Sequence, residues 1–152
     1  MKALYCLGMA VWRGQILVVE KKKTITKEHP ALWNFPGGLV NKDEKPRVAM
    51  SREVLEETGV PIFQHNWVLM GRLIRHIDGG KIQVNCYRTQ ESALHEDHSF
   101  DTYKGSHRSE WIDPFELFLG KSGRLQFMPD LQALTCLMWG DFAHSGFVIQ
   151  IP

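Results

Sequence analysis

Cysteine is scarce in this chain: among 152 residues there are three, Cys6, Cys86 and Cys136. Their odd number and wide spacing argue against a disulfide framework and against a zinc site, so they are expected to fill the core as reduced thiols in a cytoplasmic protein. Net charge is nearly absent as well, with 18 Lys and Arg against 17 Asp and Glu. No global field therefore draws the chain to a nucleic acid polymer or an anionic membrane, and any phosphate recognition has to be local. No apolar run approaches the roughly 18 residues that a spanning helix needs. The apolar opening from Met1 to Val11 is broken by Gly8 and runs into Trp12-Arg13-Gly14 without a cleavage pattern, so it reads as a buried strand rather than a leader. Repeats, low-complexity tracts and linkers are missing too. One soluble domain spanning residues 1–152 is the expectation.

What is present is ordinary globular material, 43% hydrophobic and 23% charged, enough to fold without staples. Ala3 to Val11 and Gln15 to Glu20 are strand-forming runs separated by a turn, which predicts an opening hairpin. Leu32 to Phe35 is a short extended piece stopped by Pro36-Gly37-Gly38. From Pro46, acceptable in a first helical turn, to Thr58 there is no further breaker, and Gly59 stands where helices commonly end in the left-handed conformation. Trp67 to Ile77 and Lys81 to Thr89 form two long strands joined at Asp78-Gly79-Gly80. Gln90 to Ser106 is polar and reads as a long loop. Arg108 to Ile112 is a further strand, Asp113-Pro114 starts a short helix through Leu119, and a second helix from about Asp130 sets Leu131, Leu134, Leu137 and Met138 on one apolar stripe. This order predicts an α/β or α+β sandwich, a mixed sheet held between helices.

The chemistry concentrates in the first helix. Glu53, Glu56 and Glu57 stand at i, i+3 and i+4, so three carboxylates leave neighbouring points of one face and repel one another. An isolated acidic triplet is most often a solvated face, but a divalent cation reverses the sign of the problem. Oxygen donors at high negative charge suit magnesium or manganese, and no matching His and Cys set calls for zinc. Just before the helix, Gly37-Gly38 allows close approach of the backbone and can offer a carbonyl to the same ion. Arg52 can pair with carboxylates, and Glu44 sits near the helix start, where negative charge is favourable.

Gly38, Glu44, Arg52, Glu53, Glu56, Glu57 and Gly59, with aliphatic Val54 and Val60, reproduce a spaced pattern whose chance occurrence in such a chain is on the order of 10⁻⁷ or lower. In this pattern the chain resembles the Nudix hydrolases. The resemblance implies an α/β/α sandwich and magnesium-dependent cleavage by water of a diphosphate linkage in a nucleoside diphosphate derivative. It implies that Glu53, Glu56 and Glu57, with the Gly37 or Gly38 carbonyl, hold the metal, oriented by Arg52 and Glu44. Glu53 is then the candidate general base within the motif, and the late loop offers Glu96, Asp97 and Asp101 as alternatives, flanked by His95 and His98. Lys21, Lys22 and Lys23 are candidates for phosphate contact or else a solvated turn.

Trp33 to Gly38 resembles the entry of the MutT-like members, which convert a nucleoside triphosphate to monophosphate and pyrophosphate; Phe35 is then a candidate to pack on a base. Asp130, in Phe127-Met128-Pro129-Asp130, is a candidate to read a purine edge or, equally, a helix N-cap. The rival readings are an ADP-ribose or other nucleotide-sugar pyrophosphatase and a non-catalytic nucleotide-binding module. A monomer or a homodimer is compatible with the sequence.

Overall fold

In the computed structural model, which describes residues 3–21, 32–90, 105–119, 123–139 and 146–151, the chain weaves between two β-sheets and sends one long helix to one side. The strands are β1 (Ala3–Met9), β2 (Val11–Trp12), β3 (Gln15–Lys21), β4 (Leu32–Asn34), β5 (Gly37–Leu39), β6 (Trp67–Ile77), β7 (Gly80–Thr89), β8 (Ser109–Ile112) and β9 (Phe147–Ile151). The helices are α1 (Pro46–Thr58) and α2 (Leu131–Trp139). One sheet has the order β5-β1-β7-β6-β9, mixed because β1 runs parallel to β7 and β9 parallel to β6. In the other, β3 pairs antiparallel with β2, β4 and β8.

The opening hairpin is smaller than the sequence suggests. The expected first strand divides at Ala10, and only Val11 and Trp12 turn back on β3, through Arg13 at φ 50° and Gly14 at φ 74°, the paired positive angles of a tight hairpin turn. β1 instead joins the other sheet, pairing Ala3–Met9 with Ile82–Arg88. Parallel partners so far apart in sequence leave no local signature. The strands β5 and β9 were not anticipated either.

Ile16 to Val19 of β3 are all buried, as a strand covered on both faces requires, and successive side chains point to opposite sides: Leu17 faces a cluster with Cys6, Ala49, Met50, Val54, Val60, Ile62, Trp67 and Tyr87 beneath α1. Ile16 and Val18 face the opposite cluster with Met9, Phe35, Met70, Ile112, Leu131, Leu134 and Met138 beneath α2. The layers are therefore helix, sheets, helix, as expected. Along α2 the buried face is Leu131, Leu134, Thr135 and Met138, while Leu137 is only half-buried. Cys6 and Cys86 fill the core, with burial pushing their thiols up to about 11 and about 12. Cys136 is exposed on α2, which corrects its expected core role. The short helix after Asp113 is a 3-10 turn, Pro114–Phe118, capped by the Asp113 carboxylate accepting from the Phe115 N–H at 3.0 Å.

Candidate active site

The site is built where the end of β3, the strand β5 and the face of α1 meet. β5 pairs antiparallel with β1, Cys6 opposite Gly38 and Leu7 opposite Gly37. α1 starts at Pro46 and stops at Gly59, whose φ of 79° is the left-handed cap foreseen from the sequence and whose N–H donates to the Leu55 carbonyl. The side chain of Met50 and the Cys6 and Val54 packing beneath hold this helix against the sheet.

Arg52 is the organiser of the outer half of the site. Its Nε and one terminal nitrogen fork onto both Glu44 oxygens at 2.8 and 2.9 Å, and that same nitrogen reaches the Leu39 carbonyl at 2.9 Å. The other terminal nitrogen donates to Glu53 at 2.9 Å and Glu56 at 3.3 Å. The Arg52 hydrogen bond is the first reason that Glu44 is held below its ordinary carboxylate range, and the Glu44 bond is the first reason that the guanidinium is held more firmly protonated. Glu44 also accepts from the Asn41 N–H at 3.0 Å, which fixes the turn leading into α1. A lysine has no fork with which to hold Glu44, Leu39 and Glu53 together. Arg52→Lys is therefore expected to lower turnover about 10- to 100-fold, as loss of an orienting partner commonly does, with little change in the urea unfolding midpoint. Wild-type kinetics in the variant would remove Arg52 from the site.

The inner half belongs to Glu57. It is 3% exposed, accepts the Gly37 N–H at 2.8 Å through Oε1, and receives Lys21 Nζ at 2.5 Å through Oε2. The same ammonium donates to the Gly37 carbonyl at 3.0 Å. Glu53 lies against Gly38, where a β-carbon would come within 2.5 Å of its Oε1. The three glutamates of the triplet are thus not equivalent: Glu57 is buried, Glu53 half-buried, and Glu56 exposed. The triplet is therefore not a solvated face, because β5 packs against the turn of α1 that carries Glu57.

A residue that the sequence reading missed completes the inner half. The Ser106 and His107 N–H groups donate to the carbonyls of Glu56 and Glu57 at 2.8 and 3.1 Å, so the segment before β8 caps the end of α1. Gly105 permits this approach, since a β-carbon there would lie 2.1 Å from the Glu57 carbonyl oxygen. His107 Nε2 is thereby brought 3.7 Å from Glu57 Oε2. Glycine followed by a polar pair was the only signal available, and nothing in it pointed at a helix 50 residues away.

The other candidates divide. Phe35 is fully buried among Met9, Ile16 and Leu131 on the α2 side, so its ring packs into the core and presents no face to a base; that expectation is corrected. Asp130 is exposed at the start of α2, and its carbonyl accepts from the Leu134 N–H at 3.0 Å, which is the position of an N-cap. Lys22, Lys23, His95, Glu96, Asp97, His98 and Asp101 lie outside the described residues.

The donor set fits a hard divalent cation. It consists of oxygens alone, and one cation, the Lys21 ammonium, already lies between the Gly37 carbonyl and Glu57. Among the described residues no three acidic, His or Cys side chains converge into a ready-made cage, so the carboxylates would have to close around the ion. No helix among the described residues is long and apolar enough to cross a membrane.

Comparisons with known proteins agree with this architecture. A family model described as the NUDIX domain matches residues 4–131. A stretch of 53 residues is 42% identical to a protein named 8-oxo-dGTP diphosphatase from Buchnera aphidicola, covering 34% of this chain and 43% of that one. Another of 50 residues is 42% identical to Nudix hydrolase 26, chloroplastic, of Arabidopsis thaliana, covering 31% of this chain and 23% of that one. The matches thus span less than half the length of either relative. The solved structure of a MutT protein from Methanosarcina mazei Go1 superposes with a TM-score of 0.60 at 19% identity, over 87% of this chain and 88% of that one, which speaks for the fold.

Proposed function

The chain belongs to the Nudix family, and from that premise we propose that it acts as a single-domain enzyme that uses water and Mg2+ to cut a diphosphate linkage in a nucleoside diphosphate derivative. Mn2+ is chemically interchangeable at such oxygen donors. The substrate class that we put first is a nucleoside triphosphate, including oxidised purine forms, cleaved to monophosphate and pyrophosphate. The observation that carries the reading is the convergence of Glu53, Glu57 and the Gly37-Gly38 backbone with Arg52 holding Glu44, Glu53 and Glu56. The 53-residue stretch that is 42% identical to a protein named 8-oxo-dGTP diphosphatase is in keeping with this substrate class.

A divalent cation held by Glu53, Glu56, Glu57 and a glycine carbonyl would neutralise diphosphate oxygens and make a water acidic enough to attack phosphorus. The rest of the work falls to side chains. Arg52 holds and aims Glu53, and Glu53, close to the Gly38 backbone, would take the attacking water's proton. Glu44 locks Arg52 from behind. We place the enzyme in the cytoplasm, as a monomer or homodimer.

The test is phosphate release coupled in parallel to inorganic pyrophosphatase and to alkaline phosphatase, across nucleoside triphosphates, oxidised purine nucleotides, ADP-ribose and diadenosine polyphosphates, with and without Mg2+. Mg2+-dependent pyrophosphate from triphosphates is the expected result. Phosphatase-sensitive products from ADP-ribose alone would move the chain to the nucleotide-sugar class, and silence across the panel would make it a binding module.

A further inference from the structure

The Lys21 ammonium lies within hydrogen-bond distance of two oxygens, Glu57 Oε2 at 2.5 Å and the Gly37 carbonyl at 3.0 Å. These are among the oxygens that the functional reading assigns to the divalent cation. Two cations compete for them, because like charges at such separations in a partly desolvated site repel. We infer that Lys21 is a built-in counter-ion that occupies the cation position in the metal-free protein and is ejected when a divalent cation binds. The inference rests on the proposed metal-dependent function and adds a step to it.

Three features make the exchange feasible. Glu57 is nearly inaccessible to solvent, a setting in which a lone charge is costly, and Lys21 supplies it with a positive partner. Glu57 does not depend on Lys21 for its position, because the Gly37 N–H holds Oε1 at 2.8 Å and stays there when the ammonium leaves. Lys21 is the last residue of β3, and its side chain is 26% exposed, so its flexible stem can swing the ammonium into solvent without disturbing the sheet. His107, 3.7 Å from the same Oε2, also faces this position. The released ammonium remains tethered beside the site, where a phosphate-bearing ligand offers it new partners, so cation and ligand would favour each other's binding reciprocally.

The test measures binding rather than turnover. Free Mn2+ is titrated by its paramagnetic resonance signal against the wild type, Lys21→Met and Lys21→Arg. Lys21→Met keeps the aliphatic stem and removes the competitor, so it is expected to bind Mn2+ about tenfold more tightly, whereas Lys21→Arg stays near the wild type. In parallel, the 15N-lysine ammonium resonance of the wild-type protein, assigned by its loss in Lys21→Arg, is followed during Mg2+ titration. A salt-bridged, slowly exchanging signal that disappears as Mg2+ saturates the protein supports ejection. Mn2+ affinity equal to or weaker than wild type in Lys21→Met would overturn the inference, as would an ammonium signal unchanged at Mg2+ saturation; both leave the proposed function standing. Failure of every variant and the wild type to bind either ion would overturn the inference together with the metal-dependent function. If Lys21→Met does not fold without metal, the wild-type resonance decides alone.

Discussion

Replacing Glu57 with glutamine is expected to abolish Mg2+-dependent hydrolysis, by at least about a hundredfold, and to lower stability in the same step. The charge goes, and with it a ligand for the cation. The new carboxamide can still accept the Gly37 N–H, but its NH2 group then faces the Lys21 ammonium, donor against donor. Lys21 keeps the Gly37 carbonyl and some access to water, so the loss should fall at about 1–3 kcal/mol rather than the larger cost of stranding a fully buried charge. Urea unfolding and steady-state kinetics on the same preparation measure the two effects. They can be separated: adding Lys21→Met removes the opposed donor and should recover part of the stability, but it cannot restore turnover. A Glu57→Gln protein with wild-type activity would remove Glu57 from the site altogether.

The burial of Glu57 also shows where sequence reading stops. The spacing of Glu53, Glu56 and Glu57 placed three carboxylates on one side of α1, and Pro46 and Gly59 marked its ends, because helix periodicity and capping are local properties. Which of the three points inward is decided by β5 lying against the helix, and β5 is held by pairing with β1, 30 to 34 residues earlier. The same limit explains Lys21. Read locally, it ends a strand in a basic turn. Only the pairing of β3 with β4, with Lys21 opposite Leu32, carries its stem toward Gly37 and Glu57. Phe35 failed for a related reason. Its place after a short strand suggested a ring near the glycine turn, but the chain buries Trp33 and Phe35 alike in the cluster beneath α2. Arg52 and Glu44 were legible because the motif spans a single turn and helix, within which the fork between them closes.

Gly37 and Gly38 are adjacent, yet alanine at the two positions is expected to fail differently. At Gly37 a β-carbon would stand 2.1 Å from the Cys6 carbonyl oxygen and 3.0 Å from the Cys6 carbonyl carbon and Leu7 Cα. All of these are backbone atoms in β1, paired across the sheet with β7, and no rotamer change relieves them. Gly37→Ala therefore has to part β5 from β1, which also moves the N–H that holds Glu57. A destabilisation of about 3 kcal/mol or more is expected, seen as a large fall in the urea midpoint together with lost activity. At Gly38 the nearest atoms are Glu53 Oε1 at 2.5 Å and its carboxyl carbon at 2.6 Å, the far end of a side chain that can swing aside. Gly38→Ala should accordingly keep most of its stability while displacing Glu53 from Arg52 and lowering turnover. Equal urea midpoints for Gly37→Ala and the wild type would show that β5 does not lie against β1 as described, and the placement of Glu57 would fall with it.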